Sequence, residues 1–353
     1  MPIPTEPIGS IPRPPELIEG MKAFGDGRIS ADALDALFDG AVRDTLRRFQ
    51  ETGSPVVTDG EQRKPSFATY PVHGSKNLAP GGATIRFADG HERQLPVLTS
   101  GPFRYATYAA TYLEQAQKYA TAPMKEAVIA ASALSLLYPQ DGIRDYPREE
   151  FLEDLIREAA TDIRRCLAAG TTVQIDFTEG RLAVKLDPSK LLLDSFVALN
   201  NRVLAQFSPE ERRSIGVHTC PGGDRDSTHS ADVDYAELLP ALFRLQVDNF
   251  FIQLASEKDR VRVLKILGAQ ATGNRRIFVG VTDPIDPRIE TADQVRDRVL
   301  EAARHIDPAR LGTTDDCGFS PFGDDVSTSR DTAFAKIRAR VEGTAMAARE
   351  LGI

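Results

Sequence analysis

Short apolar runs rich in β-branched residues recur along the chain. Most end in glycine-containing or polar turns and lead into segments where apolar residues return every three or four positions. The clearest runs are SPVVTDGE (54–61), TTVQIDFTEG (171–180), SIGVHTCPGG (214–223), NFFIQLASE (249–257), RIFVGVTDP (276–284) and RLGTTDDCG (310–318). Runs of this kind read as strands. Between them, REEFLEDLIREAATDIRRCLAAG (148–170) has helical spacing and closes on a glycine. SADVDYAELLPALFRLQVD (230–248) and TADQVRDRVLEAARHI (291–306) share that spacing, and each opens on a capping-type residue, Ser230 or Thr291.

Strand and helix in alternation predict parallel strands joined by helical crossovers. Adding TEPIGS (5–10) and TAPMK (121–125) brings the strand count to eight, the number of a (β/α)₈ TIM barrel within the α/β class. A doubly wound sheet would carry a phosphate-binding glycine fingerprint after its first strand, and this chain has none there. One segment breaks the alternation: GGATIRFADGHERQLPVLTSGPF (81–103) reads as a β-hairpin turning at ADG, inserted between barrel strands. No Pro/Gly/Ser-rich linker, repeat or low-complexity tract divides the 353 residues, so a single domain, 1–353, is expected.

The 41% hydrophobic content is enough to fill a large core. A net charge of -8 and the lack of any Lys/Arg run argue against nucleic acid or an anionic membrane surface as a partner. MPIPTEPIGSIPRPPEL does not resemble a secretory leader, and no apolar run approaches the roughly 18 residues of a membrane span. A cytoplasmic location is expected. Cys166, Cys220 and Cys317 are too few for a disulfide framework and are expected to be reduced thiols.

In a barrel the chemistry sits at the C-terminal ends of the strands. The residues there are unusually polar: Gly9 and Ser10, Asp59 and Glu61, Asp176 and Glu179, His218 and Cys220, Gln253 and Glu257, Asp283, then Asp315, Asp316 and Cys317. His218 and Cys220 are two apart, so on a strand both point to one face, as a shared metal requires. Zinc takes Cys sulfur and His nitrogen, and Cys317 on the same rim is the natural third ligand. An isolated HxC pair is more often two buried core residues. Two of three cysteines falling on one barrel mouth weigh against that here, whereas Cys166, mid-helix, reads as core. Zinc turns a bound thiol into a thiolate nucleophile, which makes a thiol substrate plausible.

Taken together, these segments resemble the catalytic domain of cobalamin-independent methionine synthase. IGSIPRP (8–14), DGEQRK (59–64), QID (174–176), HTC (218–220) and DDCGF (315–319) follow in that family's order. The resemblance implies a (β/α)₈ barrel that transfers a methyl group to homocysteine sulfur with Zn²⁺. His218, Cys220 and Cys317 then match zinc ligands, while Ser10, Glu61 and Asp176 match groups that hold the amino acid part of homocysteine. Two carboxylates suit its ammonium, and backbone N–H groups near Gly9 and Ser10 suit its carboxylate.

The departures from the family fall on the donor side and at the fourth metal ligand. Gln253 stands where the family has a zinc-binding glutamate, so either it or Glu257 completes the site. Phe177 replaces an acidic residue, and Asp283 stands where the family has a histidine for proton transfer. The N-terminal barrel of two-barrel members has no counterpart in these residues. The donor is left open among a methylfolate, a methylated corrinoid protein and another methyl compound. Two alternatives are zinc-dependent alkyl transfer to another thiol, as in epoxyalkane:coenzyme M transferases, and a non-catalytic thiol- or metal-binding protein. Glu61 and Asp176 argue against coenzyme M, which has no ammonium.

Overall fold

The computed structural model describes residues 2–353. Six strands form one parallel sheet in chain order: Lys125–Ile129, Thr172–Asp176, Ile215–Thr219, Asn249–Ile252, Arg276–Thr282 and Leu311–Asp315. Two extended segments complete the ring. Thr5 bridges in parallel to Thr313, and Val57 to Met124. Thr58 Oγ1 donates to the Gly9 carbonyl at 2.7 Å and Ile11 N to the Gly60 carbonyl at 3.0 Å, which joins the two segments to each other. This makes the expected eight-membered barrel. The first two members pair through single bridges rather than ladders, because Pro4, Pro7 and Pro55 offer no N–H to a neighbour.

The third barrel strand corrects the sequence expectation of 121–125. It begins at Lys125 and runs to Ile129. KEAVI opens on two charges and so reads as solvated, yet Lys125 and Glu126 are both fully buried. Lys125 Nζ lies 3.5 Å from Glu6 and 3.9 Å from the centre of the Phe251 ring, while Glu126 pairs with Lys64 at 2.7 Å. Buried charge is tolerated when it meets such partners.

Helices follow the strands. Thr291 and Gln294 form a capping box on helix Ala292–Ala303. The helix expected from Ser230 is shorter, Tyr235–Leu242, and its cap is Asp234, whose side chain accepts from Ala236 N. Ser230 is held instead by the preceding turn, its N–H donating to the Pro221 carbonyl at 3.1 Å. Among the described residues no helix is long and apolar enough to cross a membrane.

The inserted hairpin pairs Thr84–Arg86 with Glu92–Gln94, and Leu78–Ala79 pairs with Val97–Leu98 at its base. It lies against the barrel mouth. Ala88 N donates to the Thr228 carbonyl at 2.9 Å, and Arg93 clamps Asp224 at 2.6 Å and Asp324 at 2.9 Å.

Candidate active site

Strand Ile215–Thr219 delivers His218 and Cys220 to the barrel mouth, and Pro221 stops the ladder there. Gly222 follows with φ of 71°, a left-handed turn that suits glycine, and its N–H donates to Cys220 Sγ at 3.3 Å. Strand Leu311–Asp315 delivers Cys317 opposite. Cys220 Sγ and Cys317 Sγ are 3.1 Å apart, and one ligand atom from each of His218, Cys220 and Cys317 lies within 4.8 Å of the others. His218 Nδ1 is 3.3 Å from the Phe251 carbonyl, and its buried Nε2 has no hydrogen-bond partner among the described residues. A backbone carbonyl on one ring nitrogen with the other left bare is how a metal-ligating histidine is oriented.

The predicted acidic residues meet this cluster. Asp176 is the register partner of His218 on the neighbouring strand. Ser10, Glu61, Asp176, His218 and Cys317 line one small cavity together with Thr178 and Gly318. Glu61 is buried with φ of 56°, an uncommon backbone state for a non-glycine residue, and its N–H is tied to Asp59 Oδ1 at 2.7 Å. Burial pushes the Glu61 carboxyl up to about 7; Lys64 opposes the shift, and Asp176 and Asp59 add to it. Glu61 Oε2 has no partner among the described residues. Burial also raises Asp176, against the pull of His218. Gly9 is packed so close that a Cβ there would lie 2.9 Å from Glu61 Oε1. At Gly318 a Cβ would collide with Ser10 Oγ, which itself accepts from Ser320 N at 3.2 Å.

Gln253 and Glu257 stand in a different relation to the cluster. Gln253 Oε1 accepts from Arg181 Nη1 at 2.9 Å, and its amide nitrogen donates to Ser256 Oγ at 2.6 Å. Glu257 ion-pairs with the same Arg181 nitrogen at 2.8 Å. Both candidate fourth ligands are therefore engaged by one buried guanidinium. Asp316 accepts from Leu254 N, Ala255 N, Ser256 N and Ser256 Oγ at 2.7–2.8 Å, which pins the loop after Gln253. Asp283 lines a cleft of about 470 Å³ with Cys317, Gln253 and Arg181, and burial raises its carboxyl. Phe177, in the place of the family's acidic residue, is buried in the core, as is Cys166 in helix Arg148–Ala168.

Arg181 is the site residue the sequence reading missed. In TEGRLAVKL it has the look of a solvated helix position, and only its place in the first turn after the strand carrying Asp176 points to the barrel mouth.

Comparisons with known proteins agree with this architecture. A methionine synthase of Saccharolobus islandicus (strain L.S.2.15 / Lassen #1) is 23% identical, with 99% of this chain and 96% of that protein covered. A probable 5-methyltetrahydropteroyltriglutamate–homocysteine methyltransferase of Schizosaccharomyces pombe is 22% identical over 91% of this chain, which spans 40% of that longer protein. The structure of a B12-independent methionine synthase from Shewanella sp. W3-18-1, in complex with selenomethionine, superposes with a TM-score of 0.78 at 20% identity, covering 99% of both chains. The family described as cobalamin-independent synthase, catalytic domain, matches residues 3–342, and this chain belongs to it.

Proposed function

We propose that this protein is a methyltransferase that moves a methyl group from a small-molecule donor to the thiol of homocysteine, giving methionine, on a single domain spanning 1–353 in the cytoplasm. The observation that carries this reading is the meeting of His218 and Cys317 with Ser10, Glu61 and Asp176 around one cavity. His218 Nε2 without a partner beside two thiols is a donor set that fits zinc. Bound there, zinc would lower the pKa of a substrate thiol and keep the thiolate in place.

The chain's own groups do the rest. Glu61 and Asp176 face the substrate ammonium, and its positive charge draws Glu61 back to the carboxylate form that burial disfavours. Ser10 and the backbone around Gly9 sit where the substrate carboxylate would lie. Burial raises the Asp283 carboxyl, so it holds its proton to higher pH than an ordinary aspartate, and it is the group that hands a proton to the donor's heteroatom as the bond to the methyl carbon breaks. The retained carboxylate pair disfavours coenzyme M as the thiol.

The test is elemental analysis of protein purified without chelator, combined with assay of homocysteine S-methylation. About one zinc per chain, with turnover lost on chelation and restored by zinc, supports the reading. A chain that neither contains zinc nor takes it up removes it and leaves a thiol-binding protein as the better account.

A further inference from the structure

A cavity of about 280 Å³ separates the inserted hairpin from the barrel mouth. Ile85 and Leu95 line it from the hairpin, and Ile129, Leu134 and Leu182 from the barrel. It shares Phe67, Thr178, Gly222 and Gly223 with the small cavity that holds Glu61, Asp176, His218 and Cys317, so the two are adjoining chambers. An apolar cavity of about 150 Å³ admits a benzene ring, so this one has room for a two-ring molecule.

Its charges are already spent on one another. Arg93 donates to both oxygens of Asp224 and to both oxygens of Asp324, which uses four of its five N–H groups and sets its charge between two carboxylates. Burial holds His229 down at about 4, neutral at ordinary pH. Glu179 is buried, with Oε1 accepting from Ser132 Oγ and Oε2 unpartnered among the described residues. Burial pushes its carboxyl up to about 8, which leaves it a neutral O–H donor near pH 7.

We propose that this chamber binds an uncharged, ring-sized apolar ligand bearing a hydrogen-bond acceptor for Glu179, and that this ligand is the methyl donor. The second half rests on the methyl-transfer reading above. A chamber that shares part of its wall with the thiol site would bring a donor's methyl carbon within reach of the sulfur, as in-line displacement needs. An anionic donor would bring carboxylates to a wall with no free cation.

The test for the first half uses a matched pair of fluorescent two-ring probes, neutral 2-methoxynaphthalene, whose ether oxygen is an acceptor, and the anionic naphthalene-2-sulfonate. The neutral probe should saturate at about one per chain and bind at least about tenfold more tightly than the sulfonate. Ala133→Trp, which fills the chamber, should abolish that binding without changing zinc content; Leu136→Trp serves if the first variant does not fold. No binding, equal binding of both probes, or binding that survives a folded filling variant would overturn the proposal.

For the second half, methyl 4-nitrobenzenesulfonate is an uncharged aromatic methyl donor. The homocysteine thiolate forms the S–C bond as the C–O bond breaks, and the electron pair leaves with the arylsulfonate. Zinc-loaded protein should accelerate this reaction, and the neutral probe should compete with the ester. Probe binding without acceleration in zinc-loaded, thiol-binding protein refutes the donor assignment alone. Probe binding in a chain that takes up no zinc removes the methyl-transfer reading while the chamber's ligand class stands.

Discussion

Cys220 Sγ lies 3.1 Å from Cys317 Sγ, although the two residues are 97 positions apart in the chain. Two sulfurs brought together at the ends of two different strands, with a bare histidine nitrogen beside them, are the three ligand types that a tetrahedral zinc site takes. Cys220→Ser and Cys317→Ser are each expected to lower zinc content from about one per chain to near zero and to take methyl transfer with it. Cys166→Ser should leave both untouched, since that thiol is buried in a helix away from the mouth. Full zinc occupancy in either ligand variant would remove the metal assignment.

Arg181 sets what the fourth ligand can be. With its guanidinium on both Gln253 and Glu257, a carboxylate placed at 253 would pair with the arginine rather than with a metal. Gln253→Glu alone is therefore expected to change zinc affinity by less than about threefold. Combined with Arg181→Met it should tighten zinc by tenfold or more, because a free carboxylate is a stronger ligand than an amide. Competition with a chromogenic chelator reads both variants. Equal tightening in the single and the double variant would show that Arg181 does not control this position.

Glu61 places stability against function. Its folded pKa is about 7, above the ordinary glutamate value of 4.5, so its protonated form favours folding. That contribution is fully present below about pH 4.5 and is lost as pH rises through about 7. Glu61→Gln, permanently neutral, is expected to raise stability at pH 8 by up to about 3 kcal/mol and to change it little at pH 4.5. The same substitution should raise KM for homocysteine more than for a thiol without an amino group. Urea unfolding at the two pH values checks the first claim and steady-state kinetics the second. Equal KM effects on the two thiols would make Glu61 purely structural.

Much of this architecture was legible because barrel strands announce themselves locally. An apolar run closed by glycine or a polar turn is visible without knowing its neighbours, and the (i, i+2) spacing of His218 and Cys220 says which face they share. What was not legible depends on distant partners. Lys125 and Glu126 look solvated until Glu6 and Lys64 are brought to them through the fold, which is why the sequence alone points to 121–125 rather than to Lys125–Ile129 as the third strand. Arg181 looks like a surface helix residue until Gln253, 72 positions away, takes its hydrogen bond. The hairpin's existence could be read from ADG and its flanking runs. Its role as a roof could not, because that depends on Arg93 meeting Asp224 and Asp324.

Asp283 is expected to act as an acid, and the identity of the leaving group is the way to see it. Burial raises its carboxyl, with Glu290 adding to the shift and Lys336 opposing it, so the proton is held to higher pH than on an ordinary aspartate. A reaction that needs this proton slows as pH rises through the Asp283 pKa, whereas one whose leaving group departs as a stable anion does not. Asp283→Asn, which cannot release a proton in this way, should lower kcat by about 10²–10⁴-fold for a donor with a basic leaving heteroatom. The KM for homocysteine should stay within about twofold, because Asp283 lies on the 470 Å³ cleft and not on the cavity that holds Glu61 and Asp176. With methyl 4-nitrobenzenesulfonate, whose arylsulfonate needs no proton, the same variant should keep its rate. Equal losses with both kinds of donor would make Asp283 a positioning group for the cleft rather than the proton source.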